Sequence, residues 1–260
     1  MADDEALNRA AEVNEQSRHV ELADETVTRP AGPHTPTVHS FLRHLRAQGL
    51  DCVPEPVSLD GNTEALRFIE GDSGGAGWKH QHDERGLRSA AQLLRLIHDA
   101  SAGWAPPDDA VFSAPVAEGG EVFVNGDPGP WNFVWRDGEA VALIDWDFLH
   151  WAPRRSDVAY ALRWFAPMRD DDAALGWHHF PKVPDRRARI DAFLDAYGMP
   201  ADFDVTDAVV SRVRHTIDHM HFLADQGQEP QKTWVAEGAM EKEDLAEIAW
   251  IEENRSLFSE

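Results

Sequence analysis

The chain has 260 residues, 42% of them hydrophobic, enough for one large domain or two lobes sharing a cleft. Its 47 acidic and 24 basic residues leave a net charge of -23, which argues against nucleic acid and anionic membrane surfaces as partners, because both require a basic footprint. One cysteine, Cys52, excludes an internal disulfide framework; no apolar run approaches the ~20 residues of a membrane span, and the acidic start MADDEALNRAAEVNEQ lacks a secretory signal, so the expected location is cytoplasmic.

Residues 1 to about 19 read as a helical or disordered arm. Residues 19–29, HVELADETVTR, have the β-branched content of one or two short strands and end on Arg29. The connector PAGP at 30–33 precedes a helix predicted over 37–48, with Val38, Phe41, Leu42 and Leu45 as its apolar stripe and Gly49 as its stop. An extended stretch at 53–57, a turn at 60–62 and a strand at 64–69, which includes Phe68 and Ile69, lead into Glu70-Gly71-Asp72. SGGAG at 73–77 reads as a flexible linker; it is not followed by the Gly-Lys-Ser/Thr that a phosphate loop needs. A helix is predicted over 82–101, with Leu87, Ala91, Leu94 and Ile97 buried and His98 a polar packing residue.

Residues 122–147, VFVNGDPGPWNFVWRDGEAVALIDWD, carry the chemistry. They read as strand, polar loop, strand, turn, strand, with Asp137-Gly138 as the hairpin turn. The hairpin brings Asn132 and Asp145 near one another, with Asp127 in the loop just before. Asn132 and Asp145 supply the hard oxygens that Mg²⁺ prefers, with phosphates and water completing its shell. Asp127 is then free to accept a proton from a hydroxyl. The spacing D-x-x-x-x-N followed by a metal-binding Asp is the one protein kinases use for this division of labour.

After Asp145, residues 146–153 read as a loop, with Asp147 either a further contact or a cap. A helix begins near Asp157. Beyond Arg169 the chain reads as helical, over 184–197, 205–226 and 234–258. His215 and His219 have ligand spacing, but without H-E-x-x-H a metal there is not expected. Asp218 and Asp225 could hold an amine, although acids on helices usually face water.

NGDPGPWN followed by LIDWD, and then Asp157 in SDVAY, resembles the aminoglycoside phosphotransferase and choline kinase-like group of small-molecule kinases, whose motif is H-G-D-x-x-x-x-N, then I-D, then a later Asp. The family's leading His is Asn125 here. The resemblance is strong over 122–162 and plausible over 64–71. It implies an α+β, two-lobed protein kinase-like fold, with a reduced N-terminal β-lobe at 1–71 and a mostly helical C-terminal lobe at 72–260. By that resemblance Asp127 is the catalytic base, Asn132 and Asp145 hold metal and nucleotide, Arg29 is the strand-borne phosphate cation, Phe68 and Ile69 form the adenine hinge, and Asp157 braces the catalytic loop. Two expected parts are missing: no glycine precedes Gly32, and the helix after Arg29 holds no acid with which to pair that cation. The reading is a kinase that uses ATP and Mg²⁺ on a hydroxyl of a small molecule; an acidic cleft would suit a cationic acceptor. The alternatives are a pseudokinase that binds without turnover, and a metal-dependent hydrolase.

Overall fold

The computed structural model describes residues 20–114, 119–200 and 202–258. The arm read at 1–19 lies outside them. The N-terminal part is a four-stranded antiparallel sheet in the order β1-β2-β4-β3, built from β1 (Glu21–Ala23), β2 (Thr26–Pro30), β3 (Pro56–Asp60) and β4 (Thr63–Arg67). Two of the two-residue hairpin turns, Asp24-Glu25 and Asp137-Gly138, have positive φ at both residues, which matches the right-handed twist of the strands they join. Between β2 and β3 lies helix α1 (Thr35–Ala47), two residues longer at its start than the sequence suggested, because Pro36 fits the first turn.

Helix α1 joins the two parts of the molecule. Its stripe Val38, Phe41, Leu42 and Leu45 is buried, and the Phe41 ring meets Trp104 at 5.0 Å and Trp146 at 5.2 Å. Beyond β4, Gly71 (φ 147) passes so close to the strand Phe133–Arg136 that a Cβ would stand 2.6 Å from the Trp135 carbonyl, and Asp72 and Trp135 exchange backbone hydrogen bonds. Residues 73–77 are not a free linker. They open a 3-10 stretch, Gly74–His82, and Gly77 packs against the Pro130 carbonyl.

The larger part is mostly helical. Helix α2 (Glu84–Ser101) packs against α5 (Arg186–Tyr197) and the strand Glu139–Leu143. The strands of the 122–147 stretch do not form one sheet. Strand β5 (Val122–Val124) pairs with β8 (His150–Ala152), a strand where the sequence suggested a loop, while β6 (Phe133–Arg136) and β7 (Glu139–Leu143) form the separate hairpin. Helix α3 (Arg154–Phe165) begins three residues before Asp157. Helices α4 (Asp171–Gly176) and α6 (Val205–Asp225) follow. The helix read over 234–258 is two, α7 (Gln231–Glu237) and α8 (Ala239–Glu253), because Gly238 turns the backbone left-handed. No helix among the described residues is long and apolar enough to cross a membrane.

Candidate active site

The loop after β5 is held from behind by one buried acid. Asp157 accepts the Asn125 N–H at Oδ2 (2.8 Å) and the Gly126 N–H at Oδ1 (3.0 Å). His98 Nε2 lies 3.3 Å from the same carboxylate, and its Nδ1 lies 2.7 Å from the Tyr197 hydroxyl. Burial alone would raise the pKa of Asp157; the bond from His98 and the Asn125 N–H outweigh it and keep the carboxyl below its ordinary value. His98 therefore does more than pack, since it anchors the residue that shapes the loop.

Asn125 performs a second join. Its Oδ1 accepts the Asp127 N–H (3.0 Å), and its Nδ2 donates to the Asp145 carbonyl (3.0 Å). The two acid-bearing loops are thus fastened by one amide in the place of the family's His. Gly126 has φ 87, and a Cβ there would meet Phe148 O at 2.7 Å, so the turn requires glycine. Arg212, buried on α6, donates to the Gly126 carbonyl and lies 4.6 Å over the Tyr160 ring.

Asp127 is the focus of these contacts. Asn132 Nδ2 donates to both its carbonyl and its Oδ2, each at 2.8 Å, and Trp131 Nε1 donates to Oδ2 at 3.3 Å. Tyr160 hydrogen-bonds the same carboxylate. Burial pushes the Asp127 pKa up to about 6; the nearby charge of Asp145 adds to this, while Tyr160, Trp131 and Arg212 oppose it. A partly buried acid that titrates near neutrality is suited to general base work.

Asp145 follows β7 at φ 56, a left-handed backbone uncommon for a residue with a side chain, and the Ile144 N–H bonds the Asn132 carbonyl at 2.8 Å. Arg29 reaches it from the sheet. Arg29 Nη1 donates to Asp145 Oδ1 (3.0 Å), Nη2 to Asp147 Oδ1 (2.6 Å), and Nε to Glu64 Oε1 (2.7 Å). Burial disfavours the guanidinium charge, but Asp147, Asp145 and Glu64 outweigh that and hold it protonated beyond its usual range. A cation–carboxylate pair therefore forms after all, with the acid supplied by strand β4 rather than by α1.

Asp127, Asn132, Asp145 and Arg29 are thus brought into one connected network. Phe68 and Ile69 follow directly on β4; the Phe68 N–H is taken by the Glu25 carbonyl (2.8 Å), and the Asp72–Trp135 ladder lies just beyond. On the sheet, Leu22 pairs with Val27 and Val27 with Leu66, which places all three on the face that carries Arg29 and Glu64. A cavity of ≈ 330 Å³ opens beside Asp147, lined by Arg29, His34, Phe112, Phe148, Leu223 and Gln226 among others. On the other side of Asp127, Trp131 packs on Trp78 (5.0 Å) and Trp164 (4.9 Å), and Trp177 closes the group.

Burial pushes His215 and His219 down to about 4, and among the described residues no group of three or more His, Cys, Asp or Glu could hold a metal ion. Asp218 and Asp225 face solvent. Burial raises the Cys52 thiol to about 11, which fits an idle thiol. Sequence reasoning missed Glu64, His39, Tyr160, Arg212 and Trp131. Only Tyr160 carried a local signal, at i+3 from Asp157 on one helix face.

The family model described as APH, phosphotransferase enzyme family, matches residues 108–207, the stretch holding Asp127, Asn132, Asp145 and Asp157. The trifolitoxin immunity protein of Rhizobium leguminosarum bv. trifolii is 36% identical over 187 residues, covering 66% of this chain and 67% of that protein. Solved structures with similar folds include two phosphotransferases. The gentamicin complex of APH(2")-IIa superposes with a TM-score of 0.54 at 14% identity, covering 94% of each chain. The macrolide 2'-phosphotransferase of Brachybacterium faecium gives 0.51 at 15% identity, covering 94% of this chain and 98% of that one.

Proposed function

The chain belongs to the phosphotransferase enzyme family, and from that premise we propose that it transfers the terminal phosphoryl group of ATP to a hydroxyl of a small molecule in the cytoplasm. The observation that carries this reading is the network in which two loops, fastened to one another by Asn125, present Asp127, Asn132 and Asp145 while Arg29 closes on Asp145 from the sheet.

Asp127 takes the proton of the acceptor hydroxyl. The freed oxygen forms a bond to the terminal phosphorus, the bridging P–O bond breaks, and ADP leaves with the electron pair. The pKa near 6 leaves the base ionised at neutral pH yet close enough to accept a proton. Asn132 turns its amide nitrogen onto Asp127, which leaves its oxygen for a cation, and Asp145 offers a second hard oxygen. Two such donors, with phosphate oxygens and water, fit magnesium, which would neutralise the phosphate charge. Arg29 then serves the phosphates, and Phe68 with Ile69 forms the hinge beneath the base, with Leu22 and Val27 above it. Residues 1–71 make the nucleotide side and 72–260 the acceptor side.

The name of the immunity relative directs an acceptor screen towards antibiotics. A screen that reads ADP formation should find turnover with one of them, and Asp127→Ala should lower kcat by about 10²- to 10⁴-fold while MgATP still raises the melting temperature. Full turnover by Asp127→Ala would refute the base assignment. One observation favours a second reading, a binder without turnover: Arg29 already engages Asp145, the acid that the metal needs. That reading predicts a thermal shift with MgATP and no ADP with any acceptor.

A further inference from the structure

The reaction above uses Arg29 but neither of the two buried groups behind it. Arg29 and Glu64 are direct partners across the antiparallel pair β2–β4, so their side chains share one face at pairing distance. Glu64 spends one oxygen on Arg29 Nε (2.7 Å) and the other on His39 Nε2 (2.7 Å). Both are deeply buried, Glu64 at 2% exposure and His39 at 1%. His39 sits in the body of α1, the helix without an acid. The line His39–Glu64–Arg29–Asp145 therefore runs unbroken from the buried helix to the metal-side acid.

We propose that Glu64 and His39 are positioning residues for the nucleotide cation. The proposal rests on the phosphotransferase reading. The carboxylate that aims Arg29 is fixed by strand register, and the helix contributes an imidazole that holds the second carboxylate oxygen. Held at Nε, the guanidinium keeps its two Nη groups directed at the phosphate side. Released from Glu64, it would be drawn wholly onto Asp145 and Asp147, where its charge opposes a metal cation. A purely structural ion pair would anchor α1 to the sheet and have no influence on nucleotide.

The test measures Mg·AMP-PNP affinity by calorimetry in the full chain, with ATP and acceptor kinetics beside it. His39→Leu should weaken Mg·AMP-PNP about tenfold and raise KM for ATP alike, with KM for the acceptor unchanged. His39→Gln, which keeps an N–H donor near the Nε2 position, should restore affinity to within about twofold. Glu64→Asp keeps the charge but is one methylene short of serving both partners, and should weaken binding as His39→Leu does; it carries the test if His39→Leu fails to fold. If His39→Leu and Glu64→Asp lower the melting temperature yet bind Mg·AMP-PNP like the parent, the pair is a brace and the proposal falls. If the parent itself binds no Mg·AMP-PNP, the phosphotransferase reading falls and this proposal with it.

Discussion

The loop that carries Asp127 and the sheet that carries Arg29 are secured by opposite means. The loop is tied by buried side chains from distant helices: Asp157 on α3, His98 on α2 and Arg212 on α6. Each of these bonds lies in a water-poor interior, where losing one partner strands the other. The sheet is thin, its outer strands expose Leu22, Val57 and Leu59, and its active face is held by ion pairs around Arg29. The Asp127 carboxylate, the proposed base, is therefore preorganised, while the Arg29 cation sits among charges that an arriving ligand can redistribute.

This contrast breaks if Asp157→Ala is mild. The substitution removes the acceptor for two loop N–H groups and for His98, and should cost about 3 kcal/mol, a fall of roughly 8 °C in melting temperature, with turnover lost as well. An unchanged melting temperature would mean that the loop is fastened elsewhere.

A titration sharpens it. As the base, Asp127 should give a kcat/KM that rises about tenfold per pH unit up to about 6 and then levels. The sign for stability is the reverse of a salt-bridged acid. The folded pKa lies above the ordinary carboxyl value of 3.8, so the folded state holds the proton more tightly, and ionising Asp127 costs stability as pH rises from 3.8 to about 6. Asp127→Asn should accordingly melt higher than the parent at pH 8, with the gap closing near pH 4. A constant gap across that range would place the titrating group elsewhere.

The smallest effect belongs to the sheet. Leu22→Ala touches an exposed residue and should change stability by no more than about 0.5 kcal/mol. If Leu22 covers the adenine, KM for ATP should still rise roughly threefold, about the worth of one buried methylene, with KM for the acceptor unmoved. A rise in acceptor KM instead would place this face on the wrong side of the cleft.

What the sequence disclosed follows the range of the interactions. Asp127 and Asn132 are five residues apart and bond directly, and Asp137-Gly138 sets the β6–β7 hairpin, so that part of the site was legible. Strand β8 was not. His150-Trp151-Ala152 gains its strand character only by pairing with β5, and nothing local announces it. The Arg29–Glu64 pair was hidden for a similar reason: a whole helix separates the partners in sequence, and only sheet register sets them opposite. Arg212 reads locally as one more Arg on an amphipathic helix; its carbonyl partner, Gly126 on the Asp127 loop, lies 86 residues away.

Four of the ten tryptophans, Trp78, Trp131, Trp164 and Trp177, cluster in tilted and edge-on contacts beside Asp127, and the indole N–H of one of them touches its carboxylate. The molecule consequently carries its own optical probe. Proton uptake by Asp127, or a ligand settling over Trp131, should alter the emission of that indole group, so events at this carboxylate can be followed by intrinsic fluorescence with no label attached.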